Sequence, residues 1–87
     1  MYVIVVYDIE VERIDVVRHL LKQYLTWIQN SAFEGEITEG HLEELRLKIF
    51  EIIEKENDSI IVYSINNPSW IKKRAWGKEK NTTENIL

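Results

Sequence analysis

Cysteine is absent from this 87-residue chain, and proline and glycine are scarce, with one and three residues respectively. The lack of cysteine excludes a disulfide framework, a thiolate zinc site and catalysis by a cysteine nucleophile. The three glycines are scattered, which excludes a glycine-rich phosphate-binding loop. The two histidines, His19 and His41, lack the spacing of a metal-binding pair.

Long hydrophobic runs are also missing. The longest lies at the start of the chain, at residues 1–7, and is far shorter than the roughly 20 residues that cross a membrane. No basic segment precedes it, which argues against a signal peptide. The length predicts one domain, and a hydrophobic content of 45% is too high for a disordered chain. We therefore expect a soluble, cytoplasmic, single-domain protein.

The charge is negative overall but unevenly distributed. The net charge is −4, yet residues 34–58 carry nine acidic and three basic residues, and residues 69–80 carry five basic residues and one acidic residue. Overall acidity argues against a simple nucleic-acid coat protein, which needs positive charge against phosphates. The basic segment is either a solvated tail or a contact to nucleic acid or a protein partner. Its candidate contact residues are Lys72, Lys73 and Arg74.

Hydrophobic periodicity predicts the order of elements. Continuous β-branched runs over residues 2–9 and 59–65 are typical of strands buried on both faces. Apolar stripes over residues 11–25 and 42–53 predict two amphipathic helices, the second capped by Thr38 and ended by the Asn-Asp pair at 57–58. Residues 27–37 have β character and form either a hairpin with a turn at Asn30 and Ser31 or one strand bent at Gly35.

This order predicts a ferredoxin-like βαββαβ sandwich of the α+β class, with both helices on one side of an antiparallel sheet. One sheet face would remain uncovered, and a second copy of the sheet would bury it, so we expect a homodimer. We assign residues 1–66 to this core domain and residues 67–87 to a basic C-terminal tail. The tail ends in Ile86 and Leu87, and it is a candidate for one or two edge strands.

Asp8 is the first candidate for chemistry, because it lies near the end of an otherwise apolar strand. Burying a carboxylate costs several kcal/mol unless it is paired or binds a metal. It either caps the following helix, pairs with Arg13, or binds magnesium or another divalent metal such as manganese, which prefer oxygen ligands. One aspartate per chain makes a weak metal site. Two of them at a dimer axis would make a site that promotes phosphodiester hydrolysis.

Aromatic residues on the sheet offer a second type of site. Tyr7 precedes Asp8, and Phe33 follows the polar residues 29–31. Exposed aromatic rings on a sheet can stack on bases. The alternative is that such rings belong to the core or to a subunit interface.

Three segments together resemble a known family. They are Tyr7-Asp8-Ile9 at the end of the first strand, residues 29–35 after the first helix, and Asp58-Ser59-Ile60 at the start of the last strand. Over residues 1–65 the chain resembles the small CRISPR-associated endoribonucleases, the lesser of the two core proteins of CRISPR spacer adaptation. The resemblance implies a ferredoxin-like homodimer that acts as a metal-dependent endonuclease on RNA or DNA. It also implies a scaffold, held between two dimers of the CRISPR integrase, that positions incoming DNA.

The resemblance also assigns residues. Asp8 of each subunit would be the catalytic residue and the magnesium ligand. Candidates for nucleic-acid binding that match motif positions are Tyr7, Arg13, Ser31 and Phe33. The tail matches no family motif, and its residues Lys72, Lys73 and Arg74 are candidates because of their charge alone. Family members often exchange a strand between subunits in this region, so the resemblance makes the tail a candidate for such an exchange. The chain departs from the pattern at Trp27, where some members carry an arginine, and at Ala32, where a valine is usual. A non-catalytic architectural dimer and a small-molecule-sensing dimer are the alternatives.

Overall fold

The computed structural model describes residues 1–77. It contains four strands and two helices in the order βαββαβ. A short 3₁₀ helix, Pro68–Trp70, follows them. The strands form a single antiparallel sheet in the order β2-β3-β1-β4. This is the predicted ferredoxin-like α+β sandwich. The elements are β1 (Tyr2–Asp8), α1 (Val11–Lys22), β2 (Thr26–Gln29), β3 (Ala32–Glu36), α2 (Glu39–Phe50) and β4 (Ser59–Ile65).

Both helices cover the same face of the sheet, as the amphipathic stripes predict. Side chains alternate along β1, so that Val3, Val5 and Tyr7 point into the core and are at most 2% exposed. Phe33 of β3 is opposite Val5 and is fully buried. The helices complete this core with Val17, Leu20, Leu21, Leu45 and Ile49.

Residues 26–36 form the hairpin alternative, with the turn at Asn30 and Ser31. The irregularity in the pairing lies between Trp27 and Gln29 of β2. Gly35 lies within β3, where a Cβ atom would come 3.3 Å from the side chain of Leu25. This glycine therefore permits close packing instead of bending the strand.

Each helix ends earlier than its apolar stripe. α1 stops at Lys22 although Leu25 remains in the core, and α2 stops at Phe50, before the Asn-Asp pair that was expected to end it. Residues 51–57 form turns instead. Thr38 caps α2 as predicted, because its hydroxyl accepts a hydrogen bond from the backbone N–H of His41 at 3.1 Å.

The prediction that the first and last strands are buried on both faces is wrong for the single chain. β1 is interior to the sheet but is covered by helices on one face only, and β4 is an edge strand that is mostly exposed. The face without helices is called the open face; it is formed by alternate residues of β1, β3 and β4. On it Val6, Ile61 and Tyr63 are 38%, 51% and 57% exposed. The apolar side chains of β1 that point away from the helices form a surface that a second protein layer would bury.

The chain beyond β4 changes character, as the assigned domain boundary implies. β4 ends at Ile65, just before the Asn-Asn-Pro sequence, and the boundary at residues 66–67 stays a prediction. No helix within residues 1–77 is long and apolar enough to cross a membrane. The apolar end, Ile86 and Leu87, and the proposed strand exchange lie outside the described residues, as do Lys78 and Lys80.

Candidate functional site

Asp8 occupies the end of β1, on the open face. It is the last residue of the strand and is paired with Ser59, the first residue of β4. Its side chain is exposed and lies on the same face as Val6 and Ile61. The carboxylate is therefore presented at the rim of the apolar surface that the helices leave uncovered.

Neither structural interpretation of Asp8 fits the contacts. The N-cap of α1 is Glu10, which makes no side-chain capping bond, and Arg13 is paired with Asp58. Within residues 1–77 no hydrogen bond or ion pair engages the Asp8 carboxylate. Its oxygens are consequently available to a ligand.

The hairpin turn lies beside the end of β1. The backbone N–H of Tyr7 donates to the carbonyl of Ser31 at 3.0 Å, beyond the last registered pair between Val6 and Ala32. Ser31 is exposed. Thus Asp8 and Ser31, two of the predicted site residues, come together at one end of the sheet.

Tyr7 and Phe33 belong to the core. They are 2% and 0% exposed, and their ring centroids are 6.0 Å apart. Their side chains lie on the helix-covered face because they alternate with the residues of the open face. In this structure neither ring is accessible to a base, so the core interpretation of these aromatic residues is the one that fits.

Asp58 is buried, and it is a site residue to which the sequence analysis gave no role of its own. Its side chain is 0% exposed. It accepts from Arg13 Nε at 2.6 Å and from Arg13 Nη2 at 3.0 Å, and from the backbone N–H groups of Glu10 and Glu54, each at 2.9 Å. These bonds join the chain just after Asp8 to the chain just before β4.

Arg13 therefore has a structural role in this chain. Its side chain is only 16% exposed, and it also lies 3.6 Å from Glu12 and 3.8 Å from Glu54. A guanidinium held bidentately by a carboxylate has its donors engaged. The prediction that Arg13 contacts nucleic acid stays a prediction, and its position gives it no support.

Breaking the Asp58 contacts is expected to destabilise the fold strongly. Asp58→Asn should lower Tm by roughly 10 °C or more, because it removes the buried carboxylate that binds Arg13 bidentately and leaves that largely buried charge only its longer contacts to Glu12 and Glu54. Calorimetry of the matched variant Glu43→Gln is the control, since Glu43 pairs with Arg46 on the exposed surface of α2. That control should shift Tm by less than about 4 °C. Equal shifts in the two variants would contradict the role given to Asp58.

The same contacts predict a dependence of stability on pH. The Arg13 guanidinium and two backbone N–H groups hold the pKa of Asp58 well below its usual range. A depressed pKa in the folded state stabilises the protein above the unfolded value of about 3.9, and this stabilisation is lost as the pH falls below it. Tm measured from pH 6 down to pH 2 should therefore fall less steeply for Asp58→Asn than for the wild type. Parallel curves would argue against this linkage.

The basic segment after β4 is attached to the open face at β3. Lys73 Nζ lies 2.5 Å from Glu34 Oε2, and the Glu34 side chain is 10% exposed. Burial and the neighbouring charge of Glu34 raise the pKa of Tyr2. Glu34 is paired with Ile4, four residues before Asp8, so Lys73 is anchored about 13 Å along β1 from that carboxylate. Lys72 and Arg74 beside it are exposed.

Two features of the site gave no signal in the sequence. The partner of Arg13 lies 45 residues away, and that of Lys73 lies 39 residues away. Long-range ion pairs of this kind depend on the fold and have no local pattern. The sequence analysis placed Asp58 in a family segment and at the expected end of α2, but nothing in the sequence indicated that it binds Arg13.

Fold and site together define a class of protein: a ferredoxin-like sandwich that presents an exposed strand-end carboxylate at the rim of an open apolar sheet face. The family described as CRISPR associated protein Cas2 matches residues 1–73. The chain belongs to this family. The resemblance seen in its sequence segments is thereby confirmed.

Relatives cover the whole chain. A protein of Thermodesulfovibrio yellowstonii named CRISPR-associated endoribonuclease Cas2 3 is 50% identical over 99% of this chain and 98% of its own length. The CRISPR-associated endoribonuclease Cas2 of Thermococcus kodakarensis is 44% identical over the full length of both chains.

Solved structures have the same fold. A structure described as the crystal structure of cas2 is 42% identical, with a TM-score of 0.85, and the alignment covers 100% of this chain and 98% of that one. Cas2 of Streptococcus pyogenes is 28% identical, with a TM-score of 0.66 over 86% of this chain and all of that one. The fold extends to relatives of low identity.

Proposed function

We propose that this protein is a homodimeric, metal-dependent endonuclease that cuts phosphodiester bonds in RNA or DNA. We further propose that it serves in CRISPR spacer acquisition as an adaptor for the CRISPR integrase. The observation that carries the catalytic part is the Asp8 carboxylate, which is exposed at the end of β1 and has no bonding partner among residues 1–77. Relatives of this chain are named endoribonucleases.

The residues fit a divalent cation of the magnesium type if two chains contribute. No group of three or more metal-binding side chains occurs within residues 1–77. Magnesium is commonly held by one or two carboxylates and several waters. Asp8 supplies one such carboxylate, and a second Asp8 across a two-fold axis would supply the other. A bound cation would stabilise charge on the phosphodiester and lower the pKa of a bound water.

The open face supports the homodimer. Exposed Val6, Ile61 and Tyr63 form an apolar surface next to Asp8. Two copies facing each other through this surface would exclude water from it and bring their β1 strands into proximity. The same contact would therefore both stabilise the dimer and complete the metal site.

The adaptor role is supported by the basic segment after β4. Lys73 is anchored to Glu34, and the neighbouring Lys72 and Arg74 are exposed. Such a fixed, positively charged edge can neutralise phosphates of a polynucleotide. Copurification with the CRISPR integrase, and its loss when residues after Pro68 are removed, would support this role. A failure of the pure proteins to associate with each other or with DNA would count against it.

The catalytic part is tested by cleavage of four substrates, namely single- and double-stranded RNA and DNA, in magnesium, in manganese and in excess chelator. We expect cleavage of at least one substrate in the presence of metal and none in chelator. Substrate binding should weaken steeply with salt, because each neutralised phosphate releases counterions. Absence of metal-dependent cleavage on all four substrates would refute the endonuclease assignment and leave the adaptor role to stand alone.

A further inference from the structure

A closed triangle of hydrogen bonds holds the hairpin turn next to Asp8. The buried hydroxyl of Tyr7 donates to the carbonyl of Asn30 at 2.7 Å. Arg18 Nε donates to the same hydroxyl at 2.8 Å, and Arg18 Nη2 donates to the same carbonyl at 3.2 Å. We call these three residues the Asn30 triangle. The Tyr7–Asn30 hydrogen bond joins β1 to the turn. The Arg18 side chain of α1 contacts both its donor, the Tyr7 hydroxyl, and its acceptor, the Asn30 carbonyl.

The guanidinium of Arg18 is fixed from its faces as well as from its edges. Its Cζ atom lies 5.3 Å from the ring centroid of Trp27 and 5.9 Å from that of Tyr7. Trp27 Nε1 also reaches the Asn30 carbonyl, at the longer distance of 3.4 Å. A planar guanidinium can stack on a ring while two of its nitrogens donate in parallel, and an ammonium cannot reproduce that geometry.

The triangle acts on the end of β1 that carries Asp8. Past the Val6–Ala32 pair, the backbone bond from Tyr7 N–H to the Ser31 carbonyl, at 3.0 Å, joins strand to turn. The Tyr7 side chain points to the helix-covered face, opposite to the face of Asp8, and its hydroxyl is bonded to the Asn30 carbonyl. Loosening the triangle would therefore let the last residues of β1 and the turn separate, and would displace Asp8.

We propose that Arg18 is a positioning residue for Asp8: through the Tyr7 hydroxyl and the Asn30 carbonyl it holds the end of β1 against the turn. Arg18 acts through other residues and does not itself touch the substrate. This inference rests on the proposed endonuclease function. It goes beyond that function by naming a residue of α1 that fixes the position of the Asp8 carboxylate on the open face.

Three variants test it. Arg18→Gln removes the guanidinium, Arg18→Lys keeps the charge without the two-nitrogen geometry, and Tyr7→Phe removes only a hydroxyl from a buried ring. Tyr24→Phe is the matched control, because the Tyr24 hydroxyl also lies between a cation and an acceptor, Lys48 and Glu44, but these belong to α2 and not to the hairpin turn. Three quantities are measured below the Tm of each variant: kcat and KM for metal-dependent cleavage of an RNA oligonucleotide, and the hydrogen-exchange rate of the backbone amide of residue 7.

For all three test variants we expect kcat to fall roughly 10-fold to 100-fold, with KM changed less than about threefold. The amide of residue 7 should exchange roughly 10-fold faster. Tyr24→Phe should change none of these quantities. Arg18→Lys should resemble Arg18→Gln, because geometry and not charge is what the triangle requires.

Several results would overturn the inference. One is a raised KM with unchanged kcat and full rescue by Arg18→Lys, which would make Arg18 a direct phosphate contact. Another is unchanged amide exchange in Arg18→Gln and Tyr7→Phe, which would show that the triangle does not hold the strand end. The exchange measurement decides this even if the wild type shows no metal-dependent cleavage, a result that would instead refute the proposed function.

Discussion

Cleavage by Asp8→Asn is expected to fall at least roughly 100-fold, with Tm nearly unchanged. Losing the carboxylate removes charge stabilisation of several kcal/mol at a metal-assisted reaction, and each 1.4 kcal/mol is about tenfold in rate. Tm should hold because the Asp8 side chain is exposed and makes no bond within the described residues. The measurement is the initial rate of metal-dependent cleavage, made beside a thermal melt of the same preparation.

Glu12→Gln is the control for this variant, since Glu12 is an exposed carboxylate in the first turn of α1 and its removal changes the net charge equally. It should retain cleavage within about twofold of the wild type. Retained cleavage in Asp8→Asn, with contaminating nuclease excluded by parallel purification, would show that Asp8 is not the catalytic residue. Equal losses in both variants would point to overall charge instead of a metal ligand.

Ile61→Glu is expected to raise the dimer dissociation constant by roughly 100-fold or more and to abolish cleavage at concentrations where the variant is monomeric. Ile61 is 51% exposed on the open face, opposite Val6 in the β1–β4 pairing. A two-fold symmetric interface would bury the new charge twice, and each buried, unpaired charge costs several kcal/mol. Light scattering over a concentration series measures the association, and cleavage is assayed at the same concentrations.

Leu47→Glu is the matched control for the interface. Leu47 is 53% exposed, nearly the same as Ile61, but lies on α2, on the opposite layer of the sandwich. We expect it to remain dimeric and active. A dimer that survives Ile61→Glu, or that is lost equally in Leu47→Glu, would place the interface elsewhere and would separate Asp8 from its symmetry mate.

The order of elements could be predicted because hydrophobic periodicity is a local signal. A continuous β-branched run identified β1, three- to four-residue spacing identified both helices, and Thr38 marked the start of α2. The same signal could not separate an edge strand from a central one. β4 is as apolar as β1, and apolar residues that face a partner chain have the same pattern as residues buried within one chain.

The site was also predictable only in part, because a sequence pattern shows local features and not contacts between distant residues. Asp8 stood out because a carboxylate at the end of an apolar strand is unusual. The buried positions of Tyr7 and Phe33 depend on which face each residue takes, which a shift of one residue in register would reverse. Asp58 and Arg18 act through contacts with residues distant in sequence, so only the folded chain shows them.

The most direct test of two Asp8 carboxylates in one site is a mixing experiment. Wild-type and Asp8→Asn chains are unfolded together in varied proportions and refolded, so that subunits pair at random, and cleavage is measured at constant total protein. If both carboxylates are required, activity follows the square of the wild-type fraction, about one quarter of full activity in an equal mixture. A linear decline, with about half of the activity retained in an equal mixture, would show that each chain cleaves with its own Asp8 and would contradict the shared site.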